Sequence, residues 1–196
     1  MSTGTGTTAL AVATNLALRL CILYFLIEVL RNPKDPRFAG KAIPIRNTII
    51  VGTFTSLFPV LRWVARRYRR YPVWLDNLYL SIFWLDMAGN SFDLYDRYYY
   101  FDLIPHFHSS GALAIVLRGL GMSPLGAVGV ANTIHAGLEA QEYLTDVFFG
   151  THNVRGVSDT VNDLAAGLAG TGAYVLATAA AKVRFPSRRG RQGRVG

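Results

Sequence analysis

Nine of the twelve acidic residues and all four histidines of this chain fall between residues 86 and 163. Carboxylates with one or two imidazoles and no thiolate form a ligand set for Mg²⁺, Mn²⁺, Fe²⁺ or Zn²⁺ rather than for a soft metal. The spacing sharpens the signal. Asn132, His135, Glu139, Glu142 and Asp146 follow one another at intervals of 3, 4, 3 and 4, which at about 100° per residue is one polar stripe along a helix. Asp86, Asn90, Asp93 and Arg97 form a second stripe, spaced 4, 3 and 4. Asp102 and His106 are four apart, as are Asp159 and Asp163. Four helices thus each aim acids or histidine at a shared interior.

The candidate metal ligands are His106, Glu139, Glu142 and Asp163. Asp102, His135, Asp159, Asp86, Asp93 and Arg19 are the candidate supporting groups, with Asp102 orienting His106. Other roles compete. Asp102 is also a candidate N-cap of its helix, and Asp159 or Ser158 of the next. The Asp86–Arg97 stripe also reads as an ion-pair seam. His106 and His108 are two apart and point to different sides; His152 falls in a loop. The pattern His-x3-Glu-x2-Glu is neither the Glu-x-x-His of di-iron bundles nor His-Glu-x-x-His. Arg19 interrupts an apolar run. It is permanently charged, so it must pair, snorkel or hold an anion. It is expected to face the interior and border the polar site, with snorkelling as the alternative.

The elements that position these groups are apolar. Of 196 residues, 51% are hydrophobic and 16% charged, where soluble domains carry roughly a quarter charged. Mean hydropathy is +0.26. One cysteine excludes an intramolecular disulfide framework and a cysteine zinc cage. The sequence predicts an all-α fold: a polytopic membrane bundle of about six transmembrane helices in a single domain, 1–183. The helices are expected over 10–30, 44–64, 73–92, 103–120, 124–149 and 159–183, with a kink at Pro59 and a basic, disordered tail over 184–196. Tyr95, Tyr98, Tyr99, Tyr100 and Phe101 read as an interfacial aromatic belt.

The net charge of +8 arises outside the acidic region. It reads as a topology signal, so the expected partner is the lipid bilayer and not nucleic acid. Arg62, Arg66, Arg67, Arg69, Arg70, Arg118 and the basic tail place both termini in the cytoplasm. The connector 31–46, with five basic residues, then lies outside against the rule. Five spans with an external N-terminus would satisfy it but expose the 62–70 cluster.

The runs DLYDRYYYFDLIPHFHSSGALA (93–114), HAGLEAQEYLTD (135–146) and SDTVNDLAAGLAG (158–170) resemble the YjdF-like family of bacterial integral membrane proteins. Asp102, His106 and Phe107; Glu139 and Glu142; and Asp159, Thr160 and Asp163 carry the likeness, over about residues 86–170. The family has no established activity. The resemblance implies a bacterial inner-membrane protein with a shared polar site.

Three functions fit these residues. One is a metal-dependent membrane hydrolase or transferase acting on lipid or a lipid-linked substrate, its cation activating water or polarising a phosphate. The others are a proton or cation transporter or channel, and an assembly or scaffold subunit, which the small residues Ala166, Gly167 and Gly170 would suit. The concentration of acids at one end favours a one-sided site.

The topology makes a first prediction. In a Cys21→Ser background, Asn153→Cys should react with an impermeant maleimide from outside the cell. Reaction from the cytoplasmic side alone overturns the orientation.

Overall fold

The computed structural model describes residues 3–64, 66, 71–183 and 185. Arg67, Arg69 and Arg70 of the expected cytoplasmic cluster, and all of the tail after Val183 except Phe185, lie outside them. The chain is all-helical, with no strand among the described residues. Instead of one domain it forms two compact units: Met1–Phe101 with Gly150–Asn153, and Asp102–Phe149 with Val154–Gly196.

The first unit contains α1 (Thr3–Arg31), α2 (Ile43–Ile49), α3 (Leu57–Trp63), α4 (Val73–Ser91) and the single turn α5 (Leu94–Arg97). Helix α1 lays Ile22 and Phe25 against Leu80, Met87 and Ala88 of α4. Its other face leaves Leu10, Leu16, Leu20, Leu23 and Leu30 exposed. Within it, Thr8–Arg31 is the one stretch among the described helices long and apolar enough to cross a membrane by length and composition, and only 11% of its most apolar window is buried.

The single helix expected over 44–64 is broken. Helix α2 runs into a π-helical turn, Ile50–Phe54, and α3 starts afresh at Leu57. The cause is Pro59, whose effect falls upstream of the expected kink. Its ring excludes the carbonyl four residues back and it has no N–H to offer. That carbonyl belongs to Thr55. It accepts a hydrogen bond from Arg19 Nη1 instead, at 3.0 Å. Pro59 itself sits harmlessly in the first turn of α3.

Arg19 does turn inward, but its counter-ion is not one of the acids of 86–163. Asp76 Oδ2 accepts from Arg19 Nη2 at 2.6 Å, Tyr71 Oη at 2.6 Å and Asn15 Nδ2 at 2.7 Å. Arg19 Nε adds a bond to Asn15 Oδ1 at 3.1 Å, and Asn15 Nδ2 also reaches Asn77 Oδ1 at 2.8 Å. Asp76 is fully buried. Burial and the facing carboxylate push the Tyr71 hydroxyl well above its ordinary range, so it stays a donor.

The expected ion-pair seam is present. Asp86 pairs with Arg46 at 2.9 Å and accepts from Tyr95 Oη at 3.1 Å; Asp93 pairs with Arg97 at 3.1 Å. Lys41 reaches Asp96 at 2.6 Å. Arg37 pairs with Asp35 at 2.8 Å and Glu28 at 3.0 Å, and donates to the Ser91 carbonyl. Its hydrogen bonds hold the Asp35 carboxyl down at about 2. The His152 N–H donates to the Gly40 carbonyl at 3.0 Å. The connector 31–46, the end of α4 and the segment 150–153 therefore gather at one end of this unit.

The second unit contains α6 (Leu103–Gly119), α7 (Pro124–Phe149) and α8 (Val157–Ala180). Pro124 opens α7 at a position where a missing N–H costs nothing, and Ser123 Oγ accepts the Gly126 N–H at 3.1 Å. Gly150, in the left-handed region at φ +64°, follows its end. Glycine sets how closely α6 and α8 approach. A Cβ on Gly170 would stand 1.9 Å from the Phe107 carbonyl oxygen, and one on Gly111 would stand 2.8 Å from the Gly170 carbonyl oxygen. This is backbone-to-backbone packing that no side chain fits, as in close-packed membrane helices.

Two predictions arise here. Leaving one buried charge of a pair without its partner costs on the order of 3 kcal/mol, whereas removing both costs much less. Arg19→Leu and Asp76→Leu should each destabilise the protein in detergent by more than the double variant does; simple additivity of the two would show the pair is no anchor. Gly170→Ala should cost about 1–3 kcal/mol by overpacking, while Gly172→Ala, with nothing within 4 Å of its added Cβ, should be close to neutral. Thermal unfolding compares the two.

Candidate metal centre

The site lies wholly in the second unit, where α6, α7 and α8 meet. Helix α6 supplies His106. One turn earlier is Asp102, at the helix start but with no capping hydrogen bond from its side chain. Its carboxylate goes instead to His106, with Oδ1 3.2 Å from Nε2. Of the two roles open to Asp102, the orienting one is the one it takes. Pro105 sits in the first turn, where its missing N–H is no loss.

From α7, His135 and Glu139 point to the same place, four residues apart on one face. His106 Nδ1 lies 2.7 Å from His135 Nε2, and Glu139 Oε1 lies 3.4 Å from the first and 3.3 Å from the second. The rings stack at 25° with centroids 4.8 Å apart. His135 is held from behind: Ser110 Oγ is 3.2 Å from its Nδ1, and Gly167 of α8 clears its space, since a Cβ there would be 2.1 Å from Nδ1. From α8, Asp163 Oδ1 stands 3.9 Å from His106 Nε2. His135 and Glu139 are each 5% exposed and Asp163 3%. Glu139 Oε1 and Asp163 Oδ1 are buried with no hydrogen-bond partner.

Two ring nitrogens 2.7 Å apart share either a proton or a cation. The third corner decides what else the arrangement can do. Ligands ~2.1 Å from one ion stand ~3.0 Å apart at right angles and ~3.4 Å apart at the tetrahedral angle. The triangle of His106 Nδ1, His135 Nε2 and Glu139 Oε1 has edges of 2.7, 3.3 and 3.4 Å. It would therefore fit a single divalent ion with further coordination positions open. His106 Nε2 and His135 Nδ1 would then be free to donate to Asp102 and Ser110, the outer bonds that fix a ligating imidazole. Asp102, His106 and Asp163 form a second group around His106 Nε2, with Asp102 Oδ1 at 3.2 Å and Asp163 Oδ1 at 3.9 Å. The structure thus contains His/Asp/Glu groups able to hold a metal ion.

The other candidates lie elsewhere. Glu142 is half-buried and belongs to neither group; His135, placed by sequence among the supporting residues, takes the position Glu142 was expected to fill. Asp159 serves the start of α8, with Oδ2 accepting the Arg155 N–H at 3.0 Å. Asp146, at the end of the stripe, accepts the Val154 N–H at 2.8 Å, and Asn132 donates to Thr171 Oγ1 at 3.0 Å. Asp86, Asp93 and Arg19 belong to the first unit with the partners given above. His108 pairs with Tyr174 Oη at 2.7 Å. Ser110 and Gly167 were not singled out for the site. Ser110 carries no signal beyond lying four residues after His106; Gly167 was visible only as a small residue suited to packing.

The chain matches no protein-family model, no curated protein and no solved structure. The likeness to the YjdF-like family rests on the three motifs alone.

Proposed function

We propose that this is a polytopic membrane protein of the YjdF-like type. In it His106, His135 and Glu139 hold a divalent cation that activates water, or polarises a phosphate, on lipid or a lipid-linked substrate. The observation that carries this reading is the convergence of two imidazole nitrogens and a buried, unpartnered carboxylate oxygen from two helices. A bound cation lowers the pKa of its water toward neutrality and neutralises charge developing on an ester oxygen.

The membrane setting is supported by an inverted polarity. In the second unit the buried residues include His135, Glu139, Asp163, Ser110 and Thr171, while Leu125, Leu138, Phe148, Leu168 and Leu176 are exposed. Water-soluble domains bury apolar side chains and expose charges; in a bilayer the requirement reverses, and ionisable groups face the protein interior. Helices α7 and α8, at 26 and 24 residues, are ~39 and ~36 Å long, enough for a ~30 Å hydrocarbon layer. Of the polar groups that lower their hydropathy, His135, Glu139 and Asp163 are turned toward the site.

The rim supports the substrate class. Asp102 and His106 are the most accessible members, their side chains 18% and 17% exposed, and Ile104 and Phe107 are exposed beside them. A polar head meeting the cation while an apolar tail lies on α6 suits that edge. A through-pathway is disfavoured, because the groups buried further along α6 are Ala112, Ala114, Ile115 and Val116.

The test is metal analysis of protein purified in detergent. A divalent ion should be retained. His135→Ala and Glu139→Gln should weaken it by more than the ~10–100-fold typical of outer-shell losses, and His108→Ala should leave it in place. Release of phosphate from a short-chain lipid phosphate should depend on the ion and vanish in Glu139→Gln. Wild-type protein that takes up no divalent ion overturns the reading.

A further inference from the structure

The three-residue cation site leaves one buried carboxylate without a role, and beside it Asp102, so far only an orienting group, on the same ring nitrogen. Asp163 is 3% exposed, and its Oδ1 has no hydrogen-bond partner while standing 3.9 Å from His106 Nε2. Asp102 faces that same nitrogen at 3.2 Å. A desolvated carboxylate oxygen is costly unless a donor or a cation meets it. Among the described residues no arginine or lysine is ion-paired with Asp102, Glu139 or Asp163.

We propose that His106 bridges two divalent cations: one at Nδ1 with His135 and Glu139, the other at Nε2 with Asp102 and Asp163. This rests on the reading of the first site and extends it to a dinuclear centre. The two ring nitrogens of one imidazole point in opposite directions, and here each faces its own set of ligands. Binding of the second ion displaces the Nε2 proton, which leaves to water, so His106 becomes a bridging imidazolate. The charge then closes: two dications carry four positive charges, and Asp102, Glu139, Asp163 and the imidazolate carry four negative ones. A single ion with the same three carboxylates ionised leaves one negative charge uncompensated in an apolar surrounding. The second group is wider than the first, Asp163 Oδ1 standing 3.9 Å from His106 Nε2 where the longest edge of the first is 3.4 Å. It therefore suits a cation with longer bonds, or one that keeps water ligands and binds an ester oxygen by exchanging them.

The experiment loads the full-length protein in detergent with Zn²⁺ and counts ions per chain by elemental analysis. It then repeats the loading with Cu²⁺ and reads the electron paramagnetic resonance. Wild-type protein should hold two ions, and its two Cu²⁺ spins should couple through the imidazolate, giving far less signal than two isolated spins. Asp163→Asn, which keeps size and removes charge, should hold one ion with a full uncoupled signal; Asp102→Asn should do the same and serves where the first variant does not fold. One ion in wild type, unchanged in affinity by Asp163→Asn, overturns the bridge and leaves the first site standing. Two ions that persist in both variants, or two uncoupled spins, also overturn it. No bound ion in wild type overturns both readings.

Discussion

A carboxylate that has left water must meet a positive charge, and the two units of this chain satisfy that constraint in different ways. In the first, arginine does it. Asp76 has Arg19, Asp86 has Arg46 and Glu28 has Arg37, each at 3.0 Å or less. In the second, no guanidinium reaches the buried acids among the described residues. Arg118 lies 3.3 Å from Thr178 Oγ1 and over the Phe185 ring. What faces Glu139 and Asp163 is histidine. The difference is chemical, since a guanidinium is permanently charged and fills its site, whereas an imidazole can surrender its lone pair to a metal.

Packing then fixes where the histidines stand. Side chains on α6 and α8 reach one another across the glycine contacts at Gly111 and Gly170, and Gly167 admits the His135 ring between the helices. Bulkier residues at these three positions would separate the backbones and pull Asp163 away from His106. The small residues are therefore part of the site's construction, although they contribute no donor atom. Glycine is unfavourable inside a helix in water by roughly 0.5–1 kcal/mol. Close helix contact and a rigid imidazole are what that cost obtains here.

Much of this was legible in the sequence. The 3-4 spacing on α7 placed His135 and Glu139 on one face, and the four-residue interval paired Asp102 with His106. What spacing cannot resolve is where along a stripe the neighbouring helices come close enough to complete a site. That is why Glu142 was ranked above His135: both lie on the stripe, and only the position of Gly167 on another helix tells them apart. Arg19 failed for a similar reason. Its inward direction followed from the cost of a lone charge, but its partner was sought where acids were dense, and the solitary Asp76 was overlooked. The helix over 44–64 was expected to kink at Pro59; it breaks upstream instead, because the missing N–H acts on the Thr55 carbonyl four residues earlier.

That carbonyl shows how the two kinds of buried charge differ in use. Around Arg19 the carbonyl freed by Pro59, the amide of Asn15, the hydroxyl of Tyr71 and the carboxylate of Asp76 gather on one cation the chain itself supplies. Asp76 takes all its bonds at Oδ2, Oδ1 being buried without a hydrogen-bond partner, but its charge is met by Arg19, and the effect is to hold α1 against α4. Around His106 the accounts do not close from within. Two acids keep an unpartnered oxygen, two imidazole nitrogens face each other, and among the described residues no arginine or lysine is ion-paired with them. A fold that neutralises its buried Asp76 and the half-buried Asp86 and Glu28 with arginine in its first unit leaves its buried acids to histidine in its second. The physical distinction is between a charge that is a fixed part of the chain and one that must be taken up from solution, and only the second leaves coordination positions for a substrate to occupy.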